Sequence, residues 1–205
     1  MDEQLKTAAK FFSYVFHPLV IPTLGMLIIF NSNSYVNFAI PYELKKAVVI
    51  LVGLSTFVIP TLFTLFLQNR GYIKTIEMET TKERVIPYGF TIIFYFFTIY
   101  VMMKVAIPPI IFNFMVGALV SVILAFIVNL KWKISAHMIG IGGLTGALIA
   151  SSFLLNVNLL SYITLSILIS GLVASSRLIL NAHNPSQLII GFLMGMVCQI
   201  FSIYL

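Results

Sequence analysis

Long uncharged apolar runs, separated by short polar or turn-forming segments, dominate the chain. Seven such runs cover roughly residues 11–30, 47–68, 87–104, 109–130, 135–155, 159–180 and 185–204. A helix crosses the hydrocarbon core of a bilayer with roughly 20 apolar residues. The pattern therefore predicts an all-α polytopic membrane bundle of about six to seven transmembrane helices, built as a single membrane domain over 1–205. Pro108-Pro109 separates the third run from the fourth, because a proline ring removes a backbone donor and blocks the helix. Asn156 and Asn158 divide the 43 uncharged residues between Lys133 and Arg177, a stretch too long for one crossing. The one sizeable polar segment, Asn69 to Arg84, reads as an interfacial loop or short surface helix. Helices alternate in direction, so the starts of the third, fifth and seventh lie on one membrane face.

Composition agrees with this reading. Sixty per cent of the 205 residues are hydrophobic and 9% are charged, against roughly 25% charged in an average soluble domain. The net charge of +6 does not signal nucleic acid, because the twelve Lys and Arg stand singly or in pairs between apolar runs and form no basic stripe. The lone cysteine, Cys198, lies in the last run and reads as a small core residue. The charged start before Phe11 resembles a signal sequence. Its apolar run is about 20 residues long, however, and no small-residue cleavage site precedes Asn31-Ser32-Asn33-Ser34, so it reads as a retained first helix. Gly140, Gly142, Gly143 and Gly146 fit close helix packing better than a phosphate loop, since no polar partner accompanies them.

Polar residues collect at the three helix starts that share a face. Arg84 precedes Pro87, which suits the first turn of the third helix. Ser135 is placed to cap the fifth helix, with His137 beside it. His183 stands before Asn184-Pro185, a cap and first residue for the seventh, and Arg177 closes the sixth on the same side. Helix starts present unpaired N–H groups and favour anions. With Lys82, Arg84 and Arg177 added, the set suits phosphate. A metal site is not expected, since the six acidic residues all lie outside the apolar runs and the three histidines form no cluster with ligand spacing. No cofactor is expected either. His17, next to Pro18 in the first run, reads as a packing residue, and Lys131 and Lys133 around Trp132 read as an interface anchor.

Ser176-Arg177, five residues and then His183 resembles the third signature motif of the type 2 phosphatidic acid phosphatase and vanadium haloperoxidase superfamily. Ser135-Ala136-His137 resembles its second motif, and Lys82-Glu83-Arg84 through Pro87 a degenerate first. The resemblance spans about residues 74–190 and implies a membrane-embedded phosphatase or phosphotransferase acting on lipid-linked phosphate or diphosphate. By that resemblance His183 attacks phosphorus to form a phosphohistidine, and His137 protonates the leaving oxygen and then activates water. Arg177, Arg84, Lys82 and Ser135 hold the phosphoryl oxygens.

The chain departs from the pattern in several places. Gln187 stands where the family has an aspartate four residues after the histidine, to orient the ring. Arg84 lies three residues before Pro87 instead of one, and Glu77 takes the position of a lysine. Ile134 and Ala136 replace proline and glycine in the second motif. These departures leave open an alternative, a lipid-phosphate binder or small transporter that kept the fold and lost the chemistry. Under the seven-helix arrangement the site side carries Lys6, Lys10, Arg70, Lys74, Lys82, Arg84, Lys131, Lys133 and Arg177, against Lys45, Lys46 and Lys104 opposite. That bias predicts a site on the cytoplasmic side of the cell (inner) membrane.

Overall fold

The computed structural model describes residues 3–78 and 80–205, and the regular structure among them is entirely helical. In chain order the helices are α1 (Glu3–Val15), α2 (Ile21–Asn31), the short α3 (Tyr35–Ala39), α4 (Tyr42–Gly53), α5 (Ile59–Asn69), α6 (Thr81–Met102), α7 (Pro109–Asn129), α8 (Ala136–Leu154), α9 (Leu160–Ile179) and α10 (Pro185–Tyr204). A π turn at Leu54–Val58 joins α4 to α5, just ahead of Pro60, which lacks the amide hydrogen that an α-helix would offer to the Thr56 carbonyl. Six helices are long and apolar enough to cross a membrane: the joined Tyr42–Asn69, then α6 to α10. Large side chains such as Ile93, Phe96 and Phe97 on α6 and Leu165, Leu168 and Leu172 on α9 point outward. A water-soluble monomer does not carry so extensive an apolar surface. The chain is a multi-pass helical membrane protein.

Two expectations need correction. The first run is not one helix, because α1 and α2 are separated by a turn at residues 16–20 that contains Pro18. The sequence explains the break: α1 mixes Glu3, Gln4, Lys6, Thr7 and Lys10 with apolar residues and is amphipathic, whereas α2 is apolar all round. At 11 residues α2 spans only about 16 Å, roughly half a hydrocarbon core. It is buried instead, with Met26 and Ile29 fully covered. The second correction concerns α6, which begins at Thr81, so that Pro87 lies inside the helix and not in its first turn. Thr80 and Glu83 form a reciprocal capping box there, and this sets the start.

The last four spans match α7 to α10 closely, and the second begins five residues earlier than its apolar run, at Tyr42. Their polarity holds the site at one end of the bundle. At the other end Val36, Ile40 and Val48 pack with Met102, Ile110 and Leu155. The tightest packing joins α8 to α10. A Cβ placed on Gly142 would collide with the Phe192 carbonyl, one on Gly146 with the Met196 carbonyl, and one on Gly195 with the Ile139 carbonyl. Small residues thus let two backbones touch. The contact also sets the N-terminal ends of these helices side by side, where the Ser135 amide donates to the Gln187 carbonyl at 3.4 Å.

Candidate functional site

Local capping places each polar side chain. Ser135 is the N-cap of α8, and its Oγ accepts from the Met138 amide at 3.4 Å. Asn184 caps α10, with Pro185 in the first turn and a capping box completed by Gln187. The Gln187 Oε1 accepts from the Asn184 backbone amide at 3.2 Å and faces His183 Nδ1 at 2.9 Å. A backbone amide can only donate, so that bond fixes which end of the carboxamide is oxygen. Nδ1 therefore carries the ring hydrogen, and Nε2 of His183 is left with a free lone pair. Burial pushes the His183 imidazole down to about 4; the Gln187 hydrogen bond acts the other way, and the cations of Arg84, Lys133 and Arg177 reinforce the depression.

Two guanidiniums accompany this histidine. Arg84, in the first turn of α6, is 6% exposed and donates from Nε to the Met78 carbonyl and from Nη1 to the Ile134 carbonyl, both at 3.0 Å. Its second bond crosses to the residue just before Ser135 and so ties α6 to the start of α8. Arg177, in the last turn of α9, is 5% exposed. Its Nη1 donates to the Ser13 Oγ at 3.3 Å, and its Nε is buried without a hydrogen-bond partner among the described residues. These acceptors are neutral, while Glu77 lies within electrostatic range of Arg177 and Glu83 within range of Arg84. The unpartnered Nε is a second sign, independent of the helix starts, that an anion belongs here.

His137 completes the cluster. Its Nε2 faces the Ser13 carbonyl at 3.0 Å, and since a carbonyl only accepts, Nε2 carries the hydrogen. His17 stands edge-on to it, with ring centroids 5.5 Å apart. The structure thus brings together Arg84, Ser135, His137, Arg177, His183 and Gln187. Lys82 is exposed and two residues from Arg84, a spacing that turns it to another side of the helix. Glu83 belongs to the capping box. Lys133, read as an anchor, lies within electrostatic range of His183.

Sequence reasoning missed three contributors. Ser13 reaches the site from α1, His17 packs on His137, and the buried Tyr88 hydroxyl lies beside the Arg84 guanidinium without a well-formed hydrogen bond. Helical spacing offered a signal for them, since Ser13 and His17, like Arg84 and Tyr88, stand four residues apart. A cavity of about 100 Å³ lies beneath the cluster, between α2, α6, α7, α8 and α10. Pro18, Tyr88 and Ala136 line it near the site, and Phe114, Leu144 and Gln199 line it deeper in the bundle. No cluster of metal-binding side chains occurs among the described residues. Comparison with models of known protein families, with curated proteins and with solved structures finds no match to this chain.

Proposed function

We propose that this protein is a metal-independent phosphatase or phosphotransferase of lipid-linked phosphate, working through a phosphohistidine on His183. The observation that carries the reading is the pairing of a histidine whose Nε2 lone pair is free with two buried guanidiniums, one of which keeps an unpartnered Nε. The motif resemblance in Ser135–His137 and Ser176–His183 points the same way.

In the proposed reaction His183 Nε2 bonds to phosphorus while the bond from phosphorus to the lipid oxygen breaks. The charge of the bound headgroup favours the protonated form of His137, which delivers its proton to the leaving oxygen. His137 then takes a proton from water, the resulting hydroxide displaces His183 from phosphorus, and phosphate departs. Arg84 and Arg177 hold the phosphoryl oxygens in a site where fixed charge needs no reorganisation. Gln187 orients the His183 ring but brings no negative charge to stabilise its imidazolium, so turnover is slow. The setting of the cluster at one end of a bundle of membrane-spanning helices favours a lipid over a soluble phosphate ester. The balance of cations between the two ends of the bundle supports a site facing the cytoplasm from the inner membrane.

The test is phosphate release by the purified full chain from phosphatidate, phosphatidylglycerophosphate and undecaprenyl diphosphate, beside His183→Ala and Arg177→Ala. Release that falls by about a hundredfold or more in both variants is expected. Gln187 also favours a second reading, a lipid-phosphate binder without turnover. Equal, background-level release from wild type and His183→Ala, with lipid phosphate still bound, would establish the binder and sink the enzyme.

A further inference from the structure

The amphipathic helix α1 occupies the site with its own polar atoms. Ser13 offers its carbonyl to His137 Nε2 and its hydroxyl to Arg177 Nη1. In the phosphotransfer reading, on which this inference rests, the first is the place of the leaving oxygen and the second that of a phosphoryl oxygen. Arg84, Arg177 and His183 are each less than a tenth exposed. A headgroup and Ser13 cannot hold the same donors at once. We propose that α1 is a lid, closed in this structure by Ser13 acting as a substrate mimic, and that a lipid phosphate opens it by taking over the donors of His137 and Arg177.

The attachment of α1 suits such movement. Its main packing partner is α9, and its buried residues are the small Ala9 and Ser13, with Phe12 half-buried. Its polar links to the rest of the molecule, among the described residues, are the two bonds of Ser13 and one from the Tyr14 hydroxyl to Glu77 at 3.2 Å. A bound phosphate remakes the first two, so opening forfeits little. Beyond α1 the chain leaves helical geometry at residues 16–20 around Pro18, which provides a hinge. The outer face of α1 carries exposed Leu5, Phe11, Tyr14 and Val15 with exposed Lys6 and Lys10. That composition lets a displaced helix settle on the membrane surface, where apolar residues enter the interface and lysines meet anionic headgroups.

The experiment places spin labels at exposed Lys6 and Lys131, each changed to cysteine in a Cys198→Ser background, in phosphatidylcholine nanodiscs. Pulsed dipolar distances are read alone, with inorganic phosphate, and with phosphatidate added to the bilayer. Phosphate affinity is measured in parallel by calorimetry. The lid predicts a longer or broader distance distribution with either phosphate source, larger with phosphatidate if the lipid chain also engages. Ala9→Arg, which puts a charge into the α1–α9 contact, is expected to open the lid without ligand and to tighten phosphate binding about tenfold. Should that variant fail to fold, Ser13→Ala removes the hydroxyl contact while keeping a helix-forming side chain, and is expected to tighten binding by a smaller factor. Phosphate that binds without changing the distance overturns the lid and leaves the site reading intact. Phosphate that binds neither wild type nor either variant overturns both.

Discussion

At the scale of single residues, the proposed chemistry turns on what Gln187 does to His183. The carboxamide holds the ring hydrogen on Nδ1 and leaves Nε2 free, while burial holds the imidazole down at about 4. A nucleophile must be unprotonated, so the acid limb of activity is expected near pH 4, well below the usual histidine value of 6.5. Gln187→Asp sets a carboxylate against Nδ1 and stabilises the protonated ring. The limb should then move up by about one to three pH units, with faster turnover above it. A pH–rate profile of the two proteins checks both, and an unmoved limb argues that another group sets it. Stability follows the same sign. The unfolded chain takes up a proton near 6.5 that the folded one resists until about 4, so stability falls as pH drops through that window. Residue-level legibility had a clear limit. Ser135, Arg177 and His183 could be found because capping and motif spacing are local. Ser13 could not, because its partners lie 124 and 164 residues away and only packing brings them together.

At the scale of elements, the α8–α10 contact converts a run of glycines into site geometry. Gly142 and Gly146 were readable as close-packing residues, and each meets a facing carbonyl of α10. Their partners on α10 were not readable, because a glycine run specifies a close approach without naming the helix that approaches. Gly142→Leu drives a side chain into the Phe192 carbonyl and parts the helix ends joined by Ser135 and Gln187. Overpacking of this kind costs about 1–3 kcal/mol, so a lower Tm is expected together with weaker lipid-phosphate binding. Gly171→Leu on α9 is the control, since a Cβ there meets nothing within 4 Å, and it should leave both unchanged. Equal losses in the two variants would mean that the stripe has no special role. The boundaries of α7 to α10 followed from hydrophobic runs, whereas the true start of α6 needed the Thr80 and Glu83 capping box to be seen. The division between α1 and α2 was obscured because both halves are rich in apolar residues, and only the amphipathic pattern of the first separates them.

At the scale of the whole molecule, the broken first run leaves the placement of charge unchanged. Although α1 does not cross, it brings Lys6 and Lys10 to the site end with Arg70, Lys74, Lys82, Arg84, Lys131, Lys133 and Arg177. Lys45, Lys46 and Lys104 lie toward the opposite end, near the starts of α4 and α7. Setting aside Arg84 and Arg177, the proposed phosphate ligands, still leaves seven cations against three. Lys and Arg near helix ends stay on the cytoplasmic side during insertion, so the site should open to the cytoplasm and take its lipid from the inner leaflet. The contrast is measurable at two exposed tyrosines. In a Cys198→Ser background, Tyr72→Cys at the site end should react with an impermeant thiol reagent only after the membrane is opened, and Tyr42→Cys at the far end should react in intact cells. The reverse pattern would place the site outside and make the cations around Arg84 and Arg177 a record of what the site binds, with no bearing on how the helices were inserted.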